Sequence, residues 1–164
     1  MARLLVVHHS PTPTVQQLTD AVLAGSCDEE IEGVDVVVRP ALAAHADDVL
    51  AADGVLLGTT ANFGYMSGAL KHFFDTIFLE AGGALSDDGS AAAGAGGLGK
   101  KPWGLFVHGR YDTTGAVRSV ETIVGALPWR QAAPVLEVLG DPTDEQLEAA
   151  YELGATLAAL LIDS

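Results

Sequence analysis

Short apolar runs alternate along this chain with longer stretches in which apolar residues recur every three or four positions. Leu4 to Val7, Val34 to Val38, Gly54 to Gly58, Gly104 to Val107 and Val135 to Leu139 are brief and rich in β-branched residues or leucine. They read as strands buried on both faces. Val15, Leu18, Val22 and Leu23 lie on one face of a first helix, which Gly25 is expected to end as a left-handed cap. A short second helix fits His45 to Ala52. Ala69, Leu70, Phe73, Phe74, Ile77 and Phe78 form the apolar face of a third, with Lys71, His72, Asp75 and Thr76 outside it and Gly82-Gly83 at its end. Val117, Val120, Val124 and Leu127 mark a fourth. Leu147, Ala150, Tyr151, Gly154, Leu157 and Leu161 mark the last, which opens with the capping-box spacing of Thr143 and Gln146.

Five strands alternating with five helices pair in parallel through right-handed crossovers. The expected fold class is therefore α/β: a doubly wound three-layer sandwich with a five-stranded parallel sheet of order 2-1-3-4-5 and five helices. In such a sheet ligands collect over the carboxyl ends of the strands, here the first, third and fourth. With 164 residues, 49% of them apolar, the chain supports one full core, so residues 1–164 are read as a single domain. The segment 81–99 is nearly all Gly, Ala, Ser and Asp and has little to bury, so it is expected to be a flexible insertion.

Charge narrows the partners. A formal net charge of -14 repels nucleic-acid phosphates and anionic membrane surfaces, so neither is an expected partner. Cys27 is the single cysteine and cannot form an internal disulfide. The apolar run at Leu4 to Val7 is far shorter than a signal-peptide core or a membrane span, and the expected location is cytoplasmic.

Three turns carry the candidate chemistry. After the first strand, Ser10, Thr12 and Thr14 bring hydroxyls to a helix N-terminus, where free amides and the helix dipole attract an anion such as a phosphate monoester. A capping box of Thr14 and Gln17, with Pro13 pre-setting the helix entry, explains the same residues structurally. After the third strand, the run from Thr60 through Ala61, Asn62, Phe63 and Gly64 to Tyr65 is a turn with aromatics, against whose amides a flat ligand can lie. After the fourth, the run from His108 to Gly115 offers Gly109 for close approach; Asp112 or Thr113 capping a helix is the structural alternative. The acids of a receiver domain are missing from these positions, as are GxGxxG and GxxxxGK[ST] phosphate loops. His8 and His9 point to opposite faces of a strand, so no metal site is expected.

The sequence from Ser10 to Thr14 resembles the flavin-phosphate loop of the flavodoxin-like superfamily. The sequence from Thr60 to Asp75 resembles its isoalloxazine loop and following helix. Within that superfamily the chain is similar to the NAD(P)H:quinone oxidoreductases of the tryptophan-repressor-binding-protein type and to the NADPH-dependent FMN reductases. Ala52 to Gly58 and Gly99 to Gly104 extend the likeness. It implies FMN as cofactor, with Ser10, Thr12 and Thr14 at the phosphate, Thr60, Ala61, Asn62, Phe63 and Gly64 at the ring, and His108 and Gly109 at the ring's edge. It further implies NAD(P)H as co-substrate and a quinone, nitro compound or flavin as the small-molecule acceptor. His108 either gives a proton to a quinone oxygen or makes a structural hydrogen bond at the strand's end, and Tyr111 is available for stacking or substrate contact. Family members commonly form dimers or tetramers, so a homo-oligomer is expected, with Trp129 and Met66 offering apolar contact. The chain departs from the pattern at Pro13, where Gly is usual, at Val15, often Thr, and at Thr60 and Asn62. Pro13 removes a backbone donor. The alternative in the same superfamily is a flavodoxin-type protein that shuttles electrons between protein partners, to which an acidic surface is suited.

Overall fold

The alternating pattern becomes, in the computed structural model of the chain, a sheet with helices on both faces; the described residues are 1–83, 85–89 and 101–162. The strands are β1 (Ala2–His8), β2 (Val34–Pro40), β3 (Gly54–Asn62), β4 (Tyr65–Met66), β5 (Lys101–Gly109), β6 (Trp129–Gln131) and β7 (Leu136–Leu139). The helices are α1 (Pro13–Ser26), α2 (Ala46–Ala51), α3 (Gly68–Ile77), α4 (Thr114–Val124) and α5 (Asp144–Ile162). All sheet pairings are parallel except that of β4 with β3. The order is β2-β1-β3-β5-β6, with β7 also on the outer edge of β5.

This is the expected 2-1-3-4-5 order with its last strand divided. Trp103 pairs with Gln131 and Phe106 with Leu136, so between those pairs the edge carries two more residues than β5. Pro134 lies in the surplus, where it has no ladder hydrogen bond to lose. The apolar run Val135 to Leu139 marks only the β7 half as a strand. The segment 81–99 falls largely outside the described residues, at 84 and 90–99.

Side-chain alternation on the three inner strands divides the core in two. Leu5, Val7, Val55, Leu57, Leu105 and Val107 face α3 and α4, while Leu4, Val6, Leu56 and Phe106 face α1 and α5. The β2 strand was expected to be buried on both faces, but Pro40 in it is exposed and the rest is half-buried, as befits an edge. On the second face, glycines replace side chains where elements come closest. A Cβ on Gly58 would lie 2.2 Å from the Phe106 ring, which is itself wholly buried.

Gly25 is a correction of the same kind. Helix α1 continues through it to Ser26, and its φ is not left-handed. A Cβ there would sit 1.9 Å from the Tyr151 carbonyl oxygen of α5, and one on Gly154 would sit 2.0 Å from the Val22 carbonyl oxygen of α1. The residue is a glycine because two helix backbones nearly touch. Helix α3 ends earlier than expected, at Ile77 with Phe78 as its C-cap; a further turn follows and closes at Gly82, whose φ is +89°, with the amide of Gly83 donating to the Phe78 carbonyl at 2.9 Å.

Candidate functional site

At the carboxyl ends of β1, β3 and β5 a cleft of about 530 Å³ opens. Its walls come from three turns: Pro11, Thr12 and Val15; Thr60 to Gly64; and His108 to Asp112. Parallel pairing sets two of these side by side, since Thr60 is in register with His108. The sequence-predicted residues Thr12, Thr60, Ala61, Asn62, Phe63, Gly64, His108, Gly109 and Tyr111 are thereby brought together. Ser10 and Thr14 are half-buried and lie outside the lining.

Thr12, not Thr14, is the N-cap of α1, with its hydroxyl accepting the Val15 amide at 3.4 Å and Pro13 at the first helical position. Among the described residues the amides of Ser10, Thr12 and Thr14 donate to no protein acceptor, and Pro11 and Pro13 between them have no N–H. The corner therefore presents alternate free donors at a helix N-terminus without any lysine or arginine.

The Ser10 hydroxyl is turned inward. It lies 2.7 Å from Thr19 Oγ1 and 2.9 Å from His8 Nδ1, and Thr19 in turn donates to the Val15 carbonyl at 3.1 Å. Because the Thr19 proton goes to that carbonyl, the Ser10 proton goes to Thr19, and His8 must donate from Nδ1. Burial is the main cause that holds the His8 imidazole below its ordinary pKa; His9 lowers it further, and Asp20 opposes the shift. The unfolded chain therefore takes up a proton at a pH where the folded one does not. Stability attributable to His8 is complete above about pH 6.5 and is lost as pH falls through the depressed folded value. Thermal midpoints taken downward from about pH 7.5 are expected to fall more steeply for the wild type than for His8→Asn, which keeps a side-chain donor but does not titrate. Parallel slopes would show that the half-buried imidazole is not linked to folding.

Strand β3 runs further than the sequence pattern indicated, through Thr60 and Ala61 to Asn62, and the reversal falls on Phe63 and Gly64. Both have left-handed φ, 49° and 74°, as a two-residue hairpin turn between twisted strands requires. For phenylalanine that conformation is strained. Its side chain is nevertheless fully exposed, as is that of Tyr111 in the opposite turn, so two aromatics stand on the cleft rim. Below them Thr60 is 7% exposed, and its Oγ1 is buried without a hydrogen-bond partner among the described residues. Native structures rarely leave such a group unpaired away from a functional site.

In β5, His108 is buried, and its Nε2 lies 2.8 Å from the Gly140 carbonyl oxygen. A carbonyl only accepts, so Nε2 carries the proton, and Nδ1 of the neutral ring is an acceptor. The structural hydrogen bond foreseen for this histidine is thus present, and any proton exchange with a ligand has only Nδ1 available. Gly109 leaves room for the turns to close, since a Cβ there would meet Thr113 Cγ2 at 3.1 Å and Ala61 Cβ at 3.3 Å. Of the two foreseen caps of α4, Asp112 supplies the bond, accepting the Thr114 amide at 3.0 Å, which holds its carboxyl below the usual carboxylate range. Thr113 instead donates to Glu137 Oε1 at 2.6 Å, and Arg110 pairs with Asp141 at 3.4 Å.

The support beneath the β3 hairpin includes a residue absent from the sequence-predicted site, Ser67. Ser67 is fully buried, caps α3 by accepting the Leu70 amide at 3.1 Å, and lies 3.1 Å from Thr59 Oγ1; its own amide donates to that oxygen at 3.0 Å. Its position before the helix was the available signal. Met66 and Trp129, expected to offer contact to a second copy, are each 2% exposed and belong to the core of this chain. Among the described residues no group of three His, Cys, Asp or Glu side chains is placed to hold a metal, and no helix is long and apolar enough to cross a membrane.

Comparison with known proteins bears on the same region. Residues 6–138 match the family described as NADPH-dependent FMN reductase. A flavodoxin of Aquifex aeolicus (strain VF5) is 27% identical over 181 residues, covering 99% of this chain and 90% of the relative. A NAD(P)H dehydrogenase (quinone) of Acidithiobacillus ferrooxidans (strain ATCC 53993 / BNL-5-31) is 30% identical over 95 residues, 46% of each chain. Among solved structures, a flavodoxin from the domain Archaea superposes with a TM-score of 0.74 at 18% identity, covering 98% of this chain and 99% of that one. A WrbA-like flavodoxin from Agrobacterium tumefaciens gives 0.70 at 16% identity, covering 99% of each. These two likenesses establish the flavodoxin-like fold. Since the family match runs from Val6 in β1 to Val138 in β7 and takes in all three turns of the cleft, the chain belongs to the NADPH-dependent FMN reductase family.

Proposed function

We propose that this chain binds FMN in the cleft, takes hydride from NAD(P)H and reduces a small acceptor: a quinone, a nitro compound or a flavin. The Thr60 hydroxyl, unpartnered among the described residues, carries the reading: Thr60 lines the cleft, and a buried polar atom left without a partner is costly unless a ligand completes it. The donor set suits the cofactor. Free amides at Ser10, Thr12 and Thr14 suit a phosphate, and the Thr12 hydroxyl can add to them. The exposed rings of Phe63 and Tyr111 suit the faces of a flat heterocycle. When bound, FMN supplies the ring that accepts hydride and passes reducing equivalents on. The protein's part is to orient that ring with Thr60, Ala61, Asn62 and Gly64 along one side and Gly109 at its edge. His108, anchored through Nε2, has Nδ1 left as an acceptor in the neutral ring or a donor in the imidazolium. Tyr111 borders the side from which nicotinamide and acceptor approach. We further propose that the protein acts as a homo-oligomer in the cytoplasm.

The rim also favours a second reading. One exposed aromatic on each side of the cleft suits a flavodoxin-type carrier that covers its ring, and the acidic surface suits basic protein partners. Titrating the purified protein with FMN, then mixing the complex anaerobically with NADH or NADPH, separates the readings. Rapid loss of the flavin's visible absorbance on mixing, restored by a quinone, is the expected result. Slow bleaching by both nucleotides, together with fast reduction by a reductase protein, would favour the carrier. Failure to bind FMN would remove both.

A further inference from the structure

We infer that Gly115, in the first turn of α4, sets the position of the aromatic rim; the inference rests on the flavin site proposed above. Gly115 has no side chain and does not line the cleft. A Cβ at this position would nevertheless lie 1.9 Å from the Gly64 carbonyl oxygen, 2.8 Å from its carbonyl carbon and 3.4 Å from its Cα. These are backbone atoms of the hairpin turn, so no rotamer change relieves the contact. The turn itself would have to retreat by more than an ångström. A second contact joins the same two elements: the Met66 amide of β4 donates to Ser119 Oγ of α4 at 3.4 Å. Helix α4 is thus the floor on which the hairpin rests.

What rests there is the strained part of the rim. Phe63, adjoining Gly64, has a φ of 49° and a fully exposed side chain, so packing of its own ring does not maintain its conformation. The turn is maintained from below, by the β3–β4 ladder and by the close approach of Gly64 to Gly115. A methyl group at position 115 lifts the turn, lets Phe63 relax and withdraws both the Gly64 backbone and the aromatic side chain from the flavin ring. Gly115 is accordingly a positioning residue, acting through Gly64 and Phe63.

Gly115→Ala tests this with two readouts, the affinity for FMN and the affinity for riboflavin. Helix propensity alone favours alanine, so without the contact the variant would be at least as stable as wild type and would bind flavin equally. The contact instead leads to about a tenfold or greater loss of affinity for FMN and for riboflavin alike. The ratio of the two affinities should be unchanged, because the phosphate corner is built on β1 and α1. Ser119→Ala, which removes a contact without adding atoms, is expected to lower both affinities by a smaller common factor. FMN affinity within about twofold of wild type in Gly115→Ala, or a loss for FMN without one for riboflavin, overturns the inference. Should Gly115→Ala fail to fold, unchanged affinities in Ser119→Ala overturn it. A wild-type protein that binds neither flavin refutes the site and this inference with it. Wild-type binding with indifferent variants refutes the inference alone.

Discussion

Gly25→Ala and Gly154→Ala are each expected to destabilise the protein by about 3 kcal/mol, at the upper end of what overpacking costs. Both positions are inside helices, where alanine would ordinarily be favoured over glycine by about 1 kcal/mol. The sign is reversed by contact. Each new methyl would lie about 2 Å from a carbonyl oxygen of the facing helix, 1.9 Å at Tyr151 and 2.0 Å at Val22. Neither carbonyl can move without its helix. The helices would therefore separate, opening gaps around Leu18, Val22, Leu153 and Leu157 in the core beneath them. Urea unfolding of the two variants should show a lowered midpoint with an unchanged slope. An unchanged or raised midpoint would mean that the crossing is looser than described.

Thr60→Val is expected to move stability and binding in opposite directions. Valine has the shape of threonine without the hydroxyl, and that hydroxyl is buried with no partner among the described residues. Removing it should raise the stability of the ligand-free protein by about 1 kcal/mol, because an unsatisfied buried group is deleted and no protein bond is lost. If the hydroxyl is completed by flavin, the same change weakens FMN binding by about tenfold, roughly 1.4 kcal/mol. Thermal unfolding without ligand and an FMN titration measure the two effects separately. A loss of stability in the ligand-free variant would show that Thr60 serves the fold. A gain in stability with unaltered FMN affinity would leave the hydroxyl unexplained by the proposed ligand.

The inner strands were legible because they are covered on both faces and so carry unbroken apolar runs, as at Leu4 to Val7. The edge was less so. Trp129 to Gln131 has one buried residue in three and no periodicity to reveal it, and it becomes a strand only because β5 offers an unpaired side. At the cleft, Thr60, Phe63, Gly64, His108 and Gly109 were legible because each lies at or just past the carboxyl end of a parallel strand, a relation that survives in linear order. The inward turn of Ser10 could not, since it depends on Thr19 one helix face away and on His8 beneath.

The glycines mark the boundary between local and distant causes most clearly. Local chemistry sufficed for the α/β alternation, the strand order and the carboxyl-end location of the cleft, because hydrophobic period, strand-end residues and crossover handedness are properties of neighbouring residues. Gly25, Gly115 and Gly154 have the same local appearance as a cap or a helix opening. Their meaning comes from atoms 51 to 132 residues away: Gly115 admits the Gly64 carbonyl, while Gly25 and Gly154 admit Tyr151 and Val22. Close approach of two backbones leaves no trace in either segment alone beyond the missing side chain, so distance in space, which linear order does not contain, assigned those residues their roles.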